Sequence, residues 1–241
     1  MKIIGVIPAR YKSSRLLGKP LVDILGKPMI EHVYDRAIQS KILSNVYVAT
    51  DDQRIFDVCE KRNIDVIMTS DKHSTGTDRV AEVAEKLDAD IYVNIQGDEP
   101  MISPGSIDIA IKGLQDTNPP TVTCLMKKIE VATDLLDTTV PKVVINDNCN
   151  ALFFSRQAIP YPKGRVGVDY YKQICVYAFT KEMLLKYRNM VQSRNELIEE
   201  IELLRYIENG IPVKMIEVFE ETVSVDVPSD VIRVCKLLGR D

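Results

Sequence analysis

Uninterrupted apolar runs alternate with amphipathic stretches through the first half of the chain. Such runs are typical of strands buried on both faces of a parallel sheet, whereas apolar residues spaced three and four apart predict helices. The pattern predicts strands near residues 3–7, 46–50, 66–68 and 91–95, and helices near residues 28–38, 52–62 and 79–86. Because strands that alternate with helices form βαβ units, the sequence predicts an α/β fold with a mainly parallel central sheet.

The second half of the chain is less regular, with shorter apolar runs between polar segments. Strands are predicted near residues 121–125, 143–145, 151–154, 174–179, 213–217 and 223–225, and helices near residues 181–190, 196–209 and 229–238. Gly210 directly follows the longest of these helices and is expected to end it. Residues 160–168 are rich in Pro, Gly, Lys and Arg, a composition that predicts a turn or a mobile loop.

Composition limits the classes of protein to which the chain can belong. Its 241 residues suffice for one α/β domain with a substantial core. The formal net charge of −4 at pH 7 argues against a general nucleic-acid binder. No apolar run approaches the roughly 20 residues that span a bilayer, and Met1 and Lys2 lead directly into the first strand, so we expect neither a membrane span nor a signal peptide. Five scattered cysteines without a C-x-x-C pair are typical of reduced residues in a cytoplasmic protein.

The segment after the first strand concentrates positive charge. Arg10, Lys12, Arg15 and Lys19 lie among small residues in the positions that follow Pro8. Loops at the carboxyl ends of parallel strands bind ligands in open α/β sheets, and a cationic loop with free backbone N–H groups suits a polyanion such as a triphosphate. The segment carries neither the P-loop motif nor the Rossmann dinucleotide fingerprint. A phosphate-binding loop is the prediction, and a solvated surface loop is the alternative.

A carboxylate is predicted at the same edge of the sheet. Asp98 follows the strand at residues 91–95, within the run Gln-Gly-Asp-Glu-Pro. The carboxyl end of that strand is expected to face the same crevice as the cationic loop. Mg²⁺ is typically bound by one or two carboxylates together with phosphate oxygens of the substrate. Asp98 is therefore a candidate metal ligand, and a turn-forming role is its alternative.

Several segments resemble the signature of the 3-deoxy-manno-octulosonate cytidylyltransferases, also called CMP-Kdo synthetases. Residues 7–21 and 26–30 resemble the family patterns I-P-A-R-x-x-S-x-R-L-P-G-K-P-L and G-K-P-M-I, with Leu17 where the family usually has Pro. Further similar segments lie at residues 68–79, 93–100, 151–156 and 224–230. The resemblance extends over nearly the whole chain and is strongest before residue 103.

The resemblance implies a metal site and a nucleotide site. It implies that Asp98 and Asp226 bind Mg²⁺ and that Arg15, Lys19 and Asp98 are catalytic. The residues it implies in nucleotide binding are Pro8, Ala9, Arg10, Ser13, Arg15, Lys19, Ser74, Gly76, Thr77, Arg79 and Gln96. Taken alone, Asp226 has a helix-capping role as its alternative, and Arg79 has a loop-orienting one.

The implied acceptor site is where the sequence departs from the family. The residues implied in acceptor binding are Arg156, Gln173, Tyr177 and Glu202. A guanidinium at Arg156 suits the carboxylate of a sugar acid. Gln173, Cys175 and Leu203 stand where the family has His, Gly and Gln. Because a lost polar partner typically costs about 1–3 kcal/mol, the sequence predicts an altered acceptor pocket. It leaves open whether the acceptor differs or whether other residues compensate.

As a whole, the resemblance implies an enzyme with a Rossmann-like α/β nucleotidyltransferase fold and a small β-rich subdomain for acceptor binding and dimerisation. We expect one domain, with a nucleotide-binding part at residues 1–120, an acceptor and dimerisation part at about 121–220, and a metal-binding, closing part at 221–241. The expected reaction is Mg²⁺-dependent transfer of CMP from CTP to the anomeric hydroxyl of a 3-deoxy-octulosonate sugar acid, which releases pyrophosphate and activates the sugar for lipopolysaccharide or capsule. The expected setting is a cytoplasmic homodimer without nucleic-acid or membrane partners.

Two alternatives accompany this expectation. One is the same transfer to a modified or different acid, such as an 8-amino-octulosonate or a nonulosonate. The other is a non-catalytic regulator that only binds a nucleotide. Lys19, Asp98 and Asp226 favour the enzyme over the regulator, because binding alone does not need a complete metal site.

Overall fold

A mixed sheet runs through the protein in the computed structural model, which describes residues 1–13, 16–164 and 167–239. The strands of this sheet and of a small hairpin are β1 (Ile3–Ala9), β2 (Asp23–Ile24), β3 (Lys27–Pro28), β4 (Asn45–Thr50), β5 (Val66–Met68), β6 (Ile91–Ile95), β7 (Val122–Lys128), β8 (Lys142–Ile145), β9 (Ala151–Ser155), β10 (Tyr171–Thr180) and β11 (Val213–Glu217). The strand order is β11-β7-β10-β6-β1-β4-β5, with β8 and β9 attached beside β10.

The predicted mainly parallel α/β sheet is confirmed, with one antiparallel insertion. Strands β6, β1, β4 and β5 are parallel to one another, and β7 is parallel to β11. Strand β10 lies between β6 and β7 and is antiparallel to both. Strands β8 and β9 continue this antiparallel region, so the second half of the chain supplies the β-rich part of the sheet.

Helices cover both faces of the sheet. They are α1 (Met29–Ala37), α2 (Gln53–Lys61), α3 (Gly76–Lys86), α4 (Pro104–Gln115), α5 (Ala132–Leu136), α6 (Lys181–Asn189), α7 (Arg194–Glu199), α8 (Leu204–Glu208) and α9 (Pro228–Leu238), with a 3₁₀ turn at Lys19–Leu21. In the part of the chain that the structure describes, no helix is both long and apolar enough to cross a membrane.

Alternation along β1 shows why two layers of helices form. Ile4 and Val6 belong to one buried cluster, which includes apolar residues of α3 and α6, whereas Ile3 and Ile7 belong to a second cluster with α1, α2 and α4. Successive side chains of a strand point to opposite faces, so a continuous apolar run requires a cover on each side. Both faces of β1 are therefore buried, and ligands can reach the strand only at its ends.

A third apolar cluster packs the C-terminal segment against residues that follow the first loop. Val234 of α9 packs with Val225, with Ile24 of β2 and with Met29 of α1. The backbone N–H of Val225 donates to the carbonyl of Asp98 over 2.9 Å. This contact places the residue that follows, Asp226, beside the carboxyl end of β6.

Three predictions about secondary structure are wrong. Residues 223–225 do not form a strand, because the Val225 hydrogen bond is made to a loop and not to a strand ladder. Helix α3 begins earlier than predicted, at Gly76, because Thr75 and Asp78 form a capping box. The predicted helix at 196–209 is divided into α7 and α8, with Glu200 in the left-handed region at φ 51°. Helix α4 was not predicted at all.

Candidate active site

The crevice lies where β1 and β6 end side by side. The two strands are parallel neighbours, so the loop after β1 and the turn after β6 meet at one edge of the sheet. A Cβ atom on Gly97 would lie 2.9 Å from the carbonyl oxygen of Pro8. Only glycine permits this close approach of the two backbones. The predicted position of Asp98 beside the cationic loop follows from it.

The cationic loop is anchored at both ends. Gly18 has φ 67°, and its N–H donates to the carbonyl of Tyr11 over 3.0 Å, which closes the loop. The guanidinium of Arg54 in α2 lies 3.3 Å from the centre of the Tyr11 ring. A cation stacked on an aromatic face is attracted by the negative face of the ring. The predicted catalytic residue Arg15 lies outside the described residues, so its role stays a prediction.

Lys19 joins the two predicted metal ligands. Its Nζ atom donates to Asp98 Oδ2 over 2.6 Å and to Asp226 Oδ1 over 2.9 Å. Burial disfavours the charged form of Lys19, but the two carboxylates outweigh this and raise the pKa of Lys19 above its ordinary value. Lys19 is therefore firmly cationic, and residues far apart in the sequence form one ionic cluster.

The donor set fits a magnesium ion. Two carboxylates converge on one point where a positive charge, the Lys19 ammonium, already lies. Mg²⁺ prefers hard oxygen ligands and needs only one or two carboxylates when a substrate supplies phosphate oxygens. Among the described residues, no cluster of three or more His, Cys, Asp or Glu side chains forms a closed metal site. With two carboxylates from the protein, phosphate oxygens of a bound substrate would supply further ligands to Mg²⁺.

The alternative role of Asp226 as a helix cap loses support. Helix α9 starts after Val227, and the carboxylate that accepts from the backbone N–H groups just before the helix belongs to Asp230. Asp230 Oδ2 accepts from the N–H of Asp226 over 2.9 Å and from that of Val227 over 3.0 Å. Asp230 thus caps the helix, and the Asp226 side chain is directed to Lys19.

Two adjoining cavities open at this cluster. The larger cavity has a volume of about 530 Å³ and the smaller one about 180 Å³. The residues that line both are Gln96, Asp98, Arg156, Glu200 and Glu202. Lys19 lines the larger cavity and Asp226 the smaller one, so the ionic cluster lies at their junction. Two ligands bound in the two cavities would meet beside Asp98.

The larger cavity contains most of the predicted nucleotide-binding residues. Those that line it are Pro8, Ala9, Arg10, Ser13, Lys19, Ser74, Gly76, Arg79 and Gln96. Thr77 does not line it, because its side chain is buried and its hydroxyl donates to Glu202. Arg79 is mostly buried and bonded to Thr69, Ser70 and Asp51, which supports the loop-orienting alternative for Arg79.

Glu202 occupies an unexpected position for an acceptor-binding residue. Its carboxylate accepts from the N–H groups of Gly76 and Thr77 over 2.9 and 3.0 Å, at the N-terminus of α3. Burial raises the pKa of Glu202, although hydrogen bonds from Thr77 and Gly76 act in the opposite direction. These tertiary bonds explain the break between α7 and α8, because a continuous helix would not carry Glu202 to α3.

The predicted acceptor-binding residues lie in the smaller cavity. Arg156 has its guanidinium bonded to three backbone carbonyls, those of Glu199, Thr138 and Glu200. Within the described residues no carboxylate forms a salt bridge with this guanidinium, so its charge is available to an anionic ligand. Gln173 Nε2 donates to the hydroxyl of Tyr177 over 3.1 Å.

One position that the family comparison associates with the acceptor pocket lies outside it. Leu203 is fully buried in the apolar core and lines neither cavity, so its replacement of a family Gln does not alter the pocket directly. Gln173 and Cys175 do line the smaller cavity. Of the three replaced family residues, those that can alter the pocket directly are therefore Gln173 and Cys175 on β10.

Several residues of the cavities were missed from the sequence. Glu99 is buried in the smaller cavity and accepts a hydrogen bond from Thr222. Burial and the adjacent charge of Asp98 raise the pKa of Glu99 to about 7. Its place next to Asp98 in the sequence could have identified Glu99 as a residue of the site. No local pattern marks Thr222 or Gln192, which the fold brings from distant segments.

Glu82, whose carboxylate bonds to His73 in the wall of the larger cavity, is expected to make the stability of the protein depend on pH. Burial acts to raise the pKa of Glu82, but hydrogen bonds from Lys86, the Ser70 amide and His73 outweigh it and lower the pKa from 4.5 to about 2. A carboxyl group whose pKa falls on folding stabilises the protein above its unfolded pKa, and this stabilisation is lost as the pH falls. Ionised Glu82 thus stabilises the fold at neutral pH.

We expect Glu82→Gln to lower the free energy of unfolding by about 2 kcal/mol at pH 7, a value reduced for partial solvent screening. The difference from the unaltered protein should shrink as the pH falls from 4.5 towards 2, the window set by the unfolded and folded pKa. Urea denaturation at several pH values measures it. Glu85→Gln, at an exposed ion pair of the same helix, is the control and should change stability by less than about 0.5 kcal/mol. A pH-independent loss in Glu82→Gln would contradict the ionic role.

Comparison with known proteins gives a consistent result across the whole chain. A family model described as "Cytidylyltransferase" matches residues 4–219. The 3-deoxy-manno-octulosonate cytidylyltransferase of Escherichia coli is 42% identical over 240 residues, which cover 100% of this chain and 97% of that protein. The protein of the same name from Trichlorobacter lovleyi is also 42% identical, with 95% of this chain and 96% of that protein covered.

Solved structures agree with the sequence matches. A structure of CMP:2-keto-3-deoxy-manno-octonic acid synthetase complexed with CTP matches with a TM-score of 0.93 and 41% identity, and covers 100% of this chain and 99% of that chain. HddC from Yersinia pseudotuberculosis matches with a TM-score of 0.71 and 16% identity, over 99% of this chain and 100% of that chain. The second likeness shows the fold alone.

Proposed function

Because this chain belongs to the cytidylyltransferase family, we propose that it transfers CMP from CTP to the anomeric hydroxyl of a 3-deoxy-octulosonate sugar acid. The observation that carries the proposal is the ionic cluster of Lys19, Asp98 and Asp226 at the junction of two cavities. A site for group transfer must hold two substrates against each other and neutralise the charge of the leaving group. A site that only binds a nucleotide needs neither the second cavity nor the second carboxylate.

In the proposed reaction the triphosphate lies in the larger cavity. Arg10 is exposed at its wall and Lys19 lies at its junction with the smaller cavity, so both can neutralise phosphate charge. The acceptor hydroxyl forms a bond to the α-phosphorus while the bond from that phosphorus to the pyrophosphate oxygen breaks, and the hydroxyl proton is released. Asp98 and Asp226 would hold Mg²⁺, which supplies further neutralisation of the triphosphate.

The smaller cavity holds the sugar acid in this proposal. Arg156 is the cation placed for its carboxylate, because among the described residues the guanidinium bonds to carbonyl groups and to no carboxylate. Lys172, a second cation that lines this cavity, forms a salt bridge with Asp134 over 2.9 Å. Gln173 and Tyr177 offer an amide and a hydroxyl to the ring of the sugar. The geometry thus supports recognition of an anionic, hydroxylated acceptor.

Arg156→Ala is expected to raise the KM for the sugar acid about tenfold or more while the affinity for CTP changes little. Loss of a charged hydrogen bond typically costs about 1.5–3 kcal/mol, which corresponds to this factor. Steady-state kinetics with each substrate varied in turn measure the effect. Arg188→Ala, at an exposed ion pair with Glu85, is the matched control. Equal losses for both substrates would contradict a role confined to the acceptor.

A second candidate acceptor has a specific observation in its favour. Gln173 and Cys175 replace family residues in the wall of the smaller cavity, so an amino-octulosonate or a nonulosonate is the alternative substrate. Under this alternative, Gln173→His should improve kcat/KM for ketodeoxyoctulosonate relative to the other acids, by about tenfold for one regained polar partner. Unaltered protein that prefers ketodeoxyoctulosonate to every other acid would remove the alternative.

The experiment that tests the proposal is a pyrophosphate-release assay. It combines each of four nucleoside triphosphates with each member of a panel of sugar acids, with and without Mg²⁺. We expect release only with CTP, a ketodeoxy sugar acid and Mg²⁺ together. Binding of CTP without turnover on any acid would favour a non-catalytic regulator.

The proposal also includes a cytoplasmic location and the three-part organisation of the chain at residues 1–120, 121–220 and 221–241.

A homodimer is the last element of the proposal. Leu136, Leu152 and Tyr161, all in the acceptor part, are largely exposed, with 76%, 53% and 83% of their surfaces accessible. Burial of such exposed apolar side chains against a second subunit would be favourable. Sedimentation equilibrium distinguishes a dimer from a monomer.

A further inference from the structure

A buried lysine lies behind the smaller cavity and has no part in the reaction described above. Lys142, at the start of β8, is fully buried. Its Nζ atom donates to the backbone carbonyls of Asp137, Val140 and Arg156 over 2.6, 2.8 and 2.8 Å. An ammonium group has three N–H donors, so all of them are used. Within the described part of the chain, the lysine bonds to carbonyl groups and to no carboxylate.

The three carbonyls belong to two segments that form the acceptor wall. Asp137 and Val140 bound the turn that places Thr139 and Pro141 in the smaller cavity. The third carbonyl is that of Arg156 itself. Lys142 therefore connects the turn at residues 137–140 to the backbone of the arginine that is placed for the acceptor carboxylate.

The same two segments meet a second time through the arginine side chain. Arg156 Nη1 donates to the carbonyl of Thr138 over 3.0 Å, within the turn that Lys142 holds. The N–H of Arg156 donates to Glu199 over 2.9 Å, so the backbone of this residue is fixed on both sides. A shift of the turn would move the carbonyl that orients the guanidinium.

Energetics support a specific role for the ammonium. Burial lowers the pKa of Lys142, so its charge is held at a cost. If residue 142 were apolar, each of the three carbonyls would lose the hydrogen bond that it accepts from Nζ, which would destabilise this arrangement. The turn could keep its present shape only if other groups donated hydrogen bonds to these carbonyls. The positive charge and its three donors together fix the shape of this wall.

We infer that Lys142 is a positioning residue for acceptor binding, which acts through the turn at residues 137–140 and through Arg156. The inference rests on the proposed function, since it assigns Arg156 to the acceptor carboxylate. Lys142 touches neither substrate in this account. Its loss should weaken acceptor binding selectively and leave the larger cavity unchanged.

The test uses Lys142→Gln, which keeps two N–H donors without the charge, and Lys142→Met, which keeps neither. We expect the KM for the sugar acid to rise at least about tenfold in Lys142→Met and less in Lys142→Gln, with kcat and CTP affinity changed by less than about threefold. Tyr92→Phe is the control for lost stability, because the Tyr92 hydroxyl bonds to Leu87 and Ala89 away from both cavities. It should lower the melting temperature without changing the KM for the acid.

A double variant separates positioning from general support of the fold. If Lys142 acts through Arg156, adding Lys142→Gln to Arg156→Ala should reduce acceptor kcat/KM by less than about twofold further. Multiplicative losses, or equal losses for CTP and acid, would overturn the inference. Hydrogen exchange of the amides at residues 137–141 gives a readout that needs no turnover. We expect faster exchange there in Lys142→Gln, and unchanged exchange would overturn the inference. This measurement can be made even if the unaltered protein is inactive. Inactivity of the unaltered protein would refute the proposed function instead.

Discussion

Asp98→Asn and Asp226→Asn are each expected to reduce Mg²⁺-dependent turnover at least about a hundredfold, equivalent to about 2.7 kcal/mol of transition-state stabilisation. Asparagine keeps the shape of the side chain but lacks the charge that holds a divalent cation. Both carboxylates bond to Lys19 at the junction of the two cavities, so each substitution removes one of the two negative charges that contact Lys19. Initial rates over a range of Mg²⁺ concentrations measure the effect.

The control for these variants is Asp116→Asn, at an exposed residue after α4 that lines neither cavity. It should retain normal activity. Circular dichroism and melting curves would establish that the two inactive variants remain folded. Full activity of Asp226→Asn at limiting Mg²⁺ would return Asp226 to a structural role at the start of α9.

Lys19→Ala is expected to lower kcat/KM for CTP at least about tenfold, or about 1.4 kcal/mol. The loss has two physical sources. Removal of the ammonium leaves negative charge uncompensated between Asp98 and Asp226, and it removes a cation that would neutralise the departing pyrophosphate. Steady-state kinetics with CTP varied at saturating Mg²⁺ measure the loss, because saturation by the metal separates the two sources.

Lys27→Ala is the matched control for Lys19→Ala. Lys27 lies in the β2–β3 hairpin, forms an exposed ion pair with Asp35 and lines neither cavity. It should change kcat/KM by less than about twofold, since exposed ion pairs contribute little. Near-normal kinetics of a folded Lys19→Ala protein would restore the interpretation of the cationic loop as a solvated surface segment.

The first half of the fold was predictable because its apolar runs are long and continuous. Strand β6 has the bounds expected from its sequence, and the rule that parallel strands end at one edge predicted that Asp98 lies beside Lys19. Asp226 was connected to this site by family resemblance, since no local pattern joins it to β6. Its position depends on packing of α9 against Ile24 and Met29.

The acceptor side was less predictable because tertiary contacts decide it. The helical pattern around Glu202 is strong, yet its carboxylate bonds to the N-terminus of α3 and the helix is broken. Leu203 has a polar counterpart in the family, but here it lies in the core. Lys142 carries no sequence signal at all, because a single lysine beside an apolar strand is typical of a solvated residue.

The most direct test of the account is to identify the products by ³¹P NMR after incubation of the purified protein with CTP, ketodeoxyoctulosonate and Mg²⁺. We expect equimolar amounts of pyrophosphate and of CMP joined to the sugar acid, the latter detected as a phosphodiester resonance. Both should be absent with Asp98→Asn. Formation of CDP and inorganic phosphate, or of no product with any ketodeoxy sugar acid, would contradict it.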